Sequence, residues 1–406
     1  MIIYIFILLI GLVVILKTHS LEKEKDSITP DDFVERSIAQ TREYARMWNE
    51  EEVVEIKKLV SQTRVQQFLP RPQNFTEYVG NKEIKHMLRI MIDGAKQEKR
   101  ILGHILLFGN AGLGKTSLSK VLANEVGAEL IETTGGTITT QKKLLQLMWE
   151  IWNKQQNGKD VILFIDEIHR LACGEVSEEM WFPIFENYCF YHDLKGESII
   201  LNGLKYEISE NFFQCNPFTI IGATTDPGIL SPPLRDRFKA SLTLREYSIE
   251  DLAKILKLYK DKVKFNATEE ALIEIAKRGR GNPRQTISMF DICRDFALAE
   301  KKRELSKELV LKVVKDVLKL DELGLSKDDL RVLVTLAKHG ERGVGLKTLS
   351  AEVKIKPKTL DELIFPFLTW QGFMLTSNAR KITEKGLEYL ERAGLYKPDN
   401  LGHGLF

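Results

Sequence analysis

A chain of 406 residues is long enough for two or three domains of about 100–200 residues each. With 43% hydrophobic and 29% charged residues it has the composition of an ordinary soluble globular protein, and a net charge of +2 leaves nucleic-acid binding undecided. Four scattered cysteines (Cys173, Cys189, Cys215, Cys293) without a C-x-x-C pair speak for free thiols in a reducing compartment, against a metal site or a disulfide framework.

The chain opens with MIIYIFILLIGLVVIL, Met1 to Leu16, which carries no charge. As a helix it reaches about 24 Å, against a hydrocarbon core of about 30 Å. The polar residues Lys17 to Ser20 close the gap from the interface. A cleaved signal peptide needs a basic residue before the run and a small-x-small site after it, and neither is present. Residues 1–17 read as a transmembrane anchor, with a buried or peripheral helix as the alternative. Lys17, Lys23 and Lys25 put the C-terminal side of the anchor in the cytoplasm by the positive-inside rule. Residues 18–68 are highly charged, with apolar residues at partly helical spacing. They read as a helical spacer, and packing against the next domain fits their periodicity equally well.

Residues 69–245 alternate strand and helix patterns, as in an α/β domain with a parallel sheet. His104-Ile-Leu-Leu-Phe108 is a buried strand. Gly109-Asn-Ala-Gly-Leu-Gly114-Lys115-Thr116 then fits the phosphate-loop pattern G-x-x-x-x-G-K-[ST], and Ser117 to Val126 has helical spacing. Strand, glycine-rich turn and helix start together set the match apart from a chance one. Glycines let several N–H groups converge on one anion, and the helix N-terminus adds its positive dipole end. Lys115 reaches the β- and γ-phosphates of a nucleotide, and Thr116 offers a hydroxyl to Mg²⁺. Further on, Val161-Ile-Leu-Phe-Ile-Asp166-Glu167 is a central strand ending in two acids. Asp166 suits the Mg²⁺ shell, and Glu167 suits polarisation of the attacking water. Phe218-Thr-Ile-Ile-Gly-Ala-Thr224-Thr225 is another buried strand ending in hydroxyls, followed by Ser231-Pro-Pro-Leu-Arg235-Asp-Arg237-Phe238.

Residues 246–318 hold helical segments opened by capping residues (Ser248, Thr268, Asn282) and the stretch Arg278-Gly-Arg-Gly-Asn-Pro-Arg284, giving a small helical domain. Residues 321–396 hold three helical segments and then two strand-like pieces, Gly372-Phe-Met-Leu-Thr and Arg380-Lys-Ile-Thr. That pattern suggests a winged helix.

In their order, these motifs resemble the AAA+ ATPases, and within them the RuvB family of bacterial Holliday-junction branch-migration motors. The resemblance runs over about residues 69–396, from Arg71-Pro-Gln-Asn-Phe-Thr-Glu-Tyr-Val-Gly80 through FIDEIHR, IIGATT and SPPLRDRF to RGRGNPR and on to Gly372-Phe373. It implies a AAA+ P-loop domain, a helical lid and a winged helix. It implies ATP and Mg²⁺ as ligands, a ring, hexameric in the family, and branched DNA as substrate. Arg71, Tyr78 and Val79 would frame adenine and ribose. Gly112, Gly114, Lys115, Thr116 and Ser117 would bind phosphates, with Thr116 and Asp166 on the metal. Thr225 matches a γ-phosphate sensor, Arg237 an arginine finger that serves a neighbouring subunit, and Arg284 a second sensor. Tyr247 matches a nucleotide contact, and Asn187 and Tyr188 a segment at the subunit boundary.

Four departures stand out. The family lacks a membrane segment. Asn110-Ala111 replaces its usual Pro-Pro, a harmless change on the expectation that neither side chain serves the cradle. Tyr191 to Phe213, where the family has a hairpin that meets the junction-binding partner RuvA, is longer here. Leu375 stands at a usually basic wing position. Singly, Lys354, Lys356, Lys358, Arg380 and Lys381 read as solvated charges. Clustered around a winged helix they favour DNA phosphates, with Lys358, Arg380 and Lys381 the named contacts. A membrane-tethered ATPase remodelling a protein complex is the second reading.

Overall fold

The three apolar runs become the middle of one parallel sheet. The computed structural model describes residues 71–171, 174–201, 204–376 and 379–396. The apolar run of residues 1–17 and the spacer of 18–68 lie outside them. Among the described residues, no helix is long and apolar enough to cross a membrane.

In chain order the first domain has α1 (Lys82–Gln97), β1 (Ile105–Phe108), α2 (Lys115–Val126), β2 (Glu129–Thr134), α3 (Gln141–Gln156), β3 (Val161–Asp166) and α4 (Phe182–Asn187). It continues with β4 (Cys189–Tyr191), β5 (Ser198–Leu201), β6 (Leu204–Glu207), β7 (Phe212–Gln214), β8 (Thr219–Thr224), α5 (Pro232–Arg235) and β9 (Ala240–Thr243). The sheet order is β2-β3-β8-β1-β9, all parallel. β3 and β8 are covered on both faces, so their side chains alternate between two cores. Leu163, Ile165 and Ile220 pack with α3 and α4, while Ile162, Phe164 and Ile221 pack with α1 and α2.

The segment expected as one hairpin, Tyr191 to Phe213, forms two antiparallel pairs, β4 with β7 and β5 with β6. Ile199 and Leu201 turn into the core. Tyr191, Ile200, Leu204, Tyr206 and Phe212 are exposed.

The lid has α6 (Ile249–Val263), β10 (Asn266–Ala267), α7 (Glu269–Arg278), α8 (Pro283–Ala299), β11 (Glu304–Leu305) and α9 (Lys307–Val313). The capping residues Ser248, Thr268 and Asn282 each accept a backbone N–H from the first turn of their helix. The last domain has α10 (Lys327–His339), α11 (Leu346–Val353), α12 (Pro357–Thr359), a π-helical turn over Leu360–Ile364, α13 (Phe365–Trp370), β12 (Met374–Thr376), β13 (Arg380–Ile382) and α14 (Glu384–Arg392). β12 and β13 pair antiparallel, and Val344 bridges to Arg380 as a third edge. α14 is an addition to the three helices and hairpin read from the sequence, and it places Leu390 in the same core as Phe373 and Met374. Among the described residues Cys189, Cys215 and Cys293 are free and buried.

His104 joins β1 to its neighbours. Its Nδ1 accepts from the Ile220 amide at 2.9 Å, so Nε2 carries the proton and donates to the Phe185 carbonyl at 3.0 Å. Burial pushes its pKa below the ordinary 6.5. The folded protein keeps the ring neutral while the unfolded chain protonates it. This contribution to stability is therefore whole above about pH 6.5 and is lost as the pH falls below that value. His104→Leu leaves two buried backbone groups unpaired and is expected to cost about 2–4 kcal/mol. It should also flatten the acid dependence, which equilibrium denaturation on both sides of neutrality measures.

Candidate active site

The phosphate loop starts where β1 ends. Gly109, Gly112 and Gly114 have φ of +142°, +86° and +92°. A Cβ on Gly109 would lie 2.6 Å from the Leu244 carbonyl, so this backbone admits only glycine. Leu113 is buried and anchors the loop in the core. Gly114 is the N-cap of α2 and offers no side chain to the first-turn N–H groups, which leaves these donors for an anion. The Lys115 ammonium sits on the loop's own carbonyls, 2.7 Å from Gly109 O and 3.1 Å from Asn110 O. Burial lowers its pKa; the Asp166 carboxylate works against this and the Arg284 guanidinium adds to it. Two of the expected site charges, Asp166 and Arg284, therefore act on Lys115. Thr116 and Ser117 follow in the first turn of α2, half-buried.

Parallel pairing ends β1, β3 and β8 side by side. Asp166 closes β3, and its Oδ1 accepts the Glu167 amide at 3.0 Å. Glu167 has a left-handed φ of +48°, which turns its side chain out of the strand line toward solvent and an ion pair with Arg170 at 2.9 Å. The turn closes against Gly135, where a Cβ would lie 2.6 Å from the Glu167 carbonyl. At the end of β8 the two threonines separate. Thr224 is buried, and its hydroxyl accepts from the Asp226 amide and lies 3.0 Å from His169 Nδ1. Thr225 is exposed at the strand tip. His169, three residues past Asp166, was not singled out in the sequence. It ties the acidic strand to the hydroxyl strand.

Tyr78 and Tyr247 are buried behind the loop, their hydroxyls 3.2 Å apart, with that of Tyr247 also 3.2 Å from the Leu113 carbonyl. Burial pushes both phenols up, so both stay protonated. Val79 lies between Tyr78 and Gly80, whose φ of +77° lets the Tyr247 ring come within 2.6 Å of its Cβ position. Arg71 pairs with Glu132 at 3.6 Å, and its carbonyl accepts from Lys262 of α6.

The lid closes over the loop at the two positions expected to be silent. Asn110 Nδ2 donates to Glu246 Oε1 at 2.8 Å, and the Ala111 carbonyl accepts from Asn282 Nδ2 at 2.7 Å. The Asn110 side chain thus bonds the lid and not the cradle, and Ala111 does so through a backbone carbonyl that any residue would offer. A Cβ on Gly112 would lie 2.4 Å from Asn282 Oδ1 and 3.0 Å from Arg284 Cβ, so Arg284 stands directly over the loop. Among the described residues no cluster of three or more acids, histidines or cysteines forms a metal cage. A glycine cradle beside one acid and one hydroxyl fits Mg²⁺ carried by nucleotide phosphates, since this ion takes few protein ligands.

Arg237 lies elsewhere. Its guanidinium pairs with Glu186 at 2.6 Å, donates to the Pro233 carbonyl and covers the Phe182 ring at 3.8 Å. Asn187 and Tyr188 follow Glu186 at the end of α4, and Tyr188 packs its ring near Phe218. These three residues share a place with one another and with Glu186.

On the winged helix, Arg380 lies over Phe365 and 3.6 Å from Asp361, while Lys358 is exposed 3.7 Å from Glu362. Lys381 pairs across the wing with Leu375, which is 58% exposed. Lys358 and Arg380 thus each have a carboxylate neighbour, and Lys381, on the opposite strand face from Arg380, stands across from an apolar side chain.

Family models cover these domains in turn. Residues 70–244 match the Holliday junction DNA helicase RuvB P-loop domain, 247–321 the RuvB AAA lid domain, and 322–391 the RuvB C-terminal winged helix domain. The chain is 36% identical over 322 residues to the Holliday junction branch migration complex subunit RuvB of Pediococcus pentosaceus, covering 79% of this chain and 90% of that one. It is 36% identical over 325 residues to the subunit of the same name from Leuconostoc mesenteroides, covering 80% and 88%. The solved Thermotoga maritima RuvB Holliday junction branch migration motor is similar at a TM-score of 0.63 and 32% identity, over 80% of this chain and 99% of that one.

Gly112→Ala is expected to push Asn282 off the loop and strain a left-handed backbone. Nucleotide affinity should fall about tenfold or more with the fold intact. Calorimetric titration with an ATP analogue checks this, and unchanged affinity would show that the loop–lid contact is dispensable.

Proposed function

The chain belongs to the RuvB family of Holliday junction DNA helicases, and we propose on that premise how its residues turn ATP hydrolysis into movement of branched DNA. It is an ATPase and a DNA motor. The observation that carries the reading is the meeting of Lys115, Asp166 and Arg284 over one glycine cradle, with Glu167 and Thr225 at the adjacent strand tips. The α2 amides and Lys115 bind the phosphates, displacing the ammonium from the loop carbonyls. Thr116 and Asp166 would hold Mg²⁺, which would supply charge neutralisation to the phosphates. Glu167 orients and polarises water, and Thr225 reads the γ-phosphate. Arg284 bears on the same phosphates from the lid. Arg71, Tyr78, Val79 and Tyr247 form the base side of the site.

Arg237 acts on a neighbour's nucleotide in a ring, with Asn187 and Tyr188 on the same boundary. Its support is the set of contacts around Glu186, all away from the loop residues. The motor spans residues 69–245, the lid 246–318 and the winged helix 321–396. Lys358 and Arg380 meet DNA phosphates once Glu362 and Asp361 yield, and Lys381 meets them from the same wing. A junction-binding partner of the RuvA kind docks on the exposed apolar side chains of β4 to β7. Residues 1–17 tether the motor to a bacterial membrane, with 18–68 setting its reach. The support is the uncharged run itself.

Three outcomes are expected. First, junction DNA should raise ATP hydrolysis by the full chain above the level with linear duplex, measured by phosphate release; equal rates on both would overturn the branched-DNA reading. Second, Lys115→Ala should abolish nucleotide binding, whereas Glu167→Gln should keep binding and lose turnover. An arginine finger supplied in trans is worth roughly 10³–10⁵ in rate, so mixed rings of Arg237→Ala and Lys115→Ala subunits should regain activity that neither has alone. Third, the full chain should resist carbonate extraction from membranes and a chain lacking residues 1–20 should not. Equal extraction would remove the anchor and leave the motor standing.

A further inference from the structure

The stretch Arg278 to Arg284 touches the ATP site at one end and the winged helix at the other. Toward the ATP site, Asn282 donates to the Ala111 carbonyl, and the Gly281 carbonyl accepts from the Tyr247 amide at 2.8 Å. Toward the winged helix, the Arg280 guanidinium pairs with Asp329 at 2.5 Å, donates from Nε to the Gly324 carbonyl and covers the Phe367 ring at 4.4 Å. Asp329 is fully buried and already belongs to a capping box. Its Oδ2 accepts the Ser326 amide at 2.7 Å, so the N-terminus of α10 is set by the same carboxylate. Arg280 has a φ of +54°, and a Cβ on Gly281 would lie 3.1 Å from Trp370 Cζ2. Arg278 adds a bond to the Asp321 carbonyl. A buried carboxylate that loses its cation is left uncompensated, so this pair holds as a unit or breaks as a unit.

We propose that Arg280 is the positioning residue that makes the winged helix follow the ATP site. The α10 N-terminus is clamped two residues from Asn282, so a nucleotide that moves the loop and Arg284 moves the winged helix with them. A linker between lid and winged helix would let the two move apart. A two-sided clasp transmits the displacement through contiguous packed and charged groups. This rests on the ATP-site assignment above, and it makes Arg280 a coupling element without contact to phosphate or DNA.

Hydrogen–deuterium exchange of the full chain with and without a slowly hydrolysed ATP analogue tests it. In the parent, nucleotide should change exchange both in residues 109–117 and at Ser326–Val332. In Arg280→Met, which keeps an apolar stem over Phe367, the change at 109–117 should persist while that at Ser326–Val332 falls about threefold or more. Arg280→Lys should recover part of it. Trp370→Ala removes an exposed ring from Gly281 without opening a core; it should weaken the same response and serves as the readout if Arg280→Met fails to fold. An α10 response equal in parent and variants, or absent from the parent, overturns the proposal. Failure of junction DNA to stimulate the parent would instead overturn the DNA reading and leave the exchange result to decide the clasp.

Discussion

The parallel register of β3, β8 and β1 is the constraint on which the rest depends. With Ile165 opposite Gly222 and Phe108 opposite Thr224, each strand delivers its last residue to the same edge. Glycine loop, acid pair and hydroxyls then stand along one edge of the sheet. A slip of one residue in any pair would invert the alternation of two cores and withdraw that strand's contribution together. Ligand sites of open α/β sheets lie at such strand ends for this reason.

The lid does more than cover this edge. Its first residues, Glu246 and Tyr247, grip the phosphate loop from outside and from behind, and its sensor stretch grips the loop from above. The winged helix in turn is fastened to that stretch by a buried ion pair. Arg237 belongs to none of these contacts. It is paired with Glu186, at a place apart from the loop and the lid.

What was legible in the sequence was local. The phosphate loop, the acidic strand and the helix caps are written in contiguous residues, and their backbones follow from glycine freedom, burial and capping chemistry. The resemblance supplied Arg237 and Arg284, which spacing alone leaves as ordinary surface arginines. Contacts between distant segments were hidden. Ala111 meets Asn282 across 171 residues and Glu186 meets Arg237 across 51. His169 was overlooked because its partner Thr224 lies on another strand. Arg380 looked like a free cation until Asp361 and Phe365 came beside it. The apolar run at the N-terminus stays a reading of composition, since it falls outside the described residues.

The Asn110-Ala111 pair has a consequence for how the loop keeps its shape. Two prolines would pre-shape the loop in the unfolded chain and in every state of the lid. Asparagine and alanine leave it more freedom, and here its shape is completed by side chains borrowed from Glu246 and Asn282. The loop's shape in this protein is therefore held jointly by segments 136 and 171 residues away along the chain.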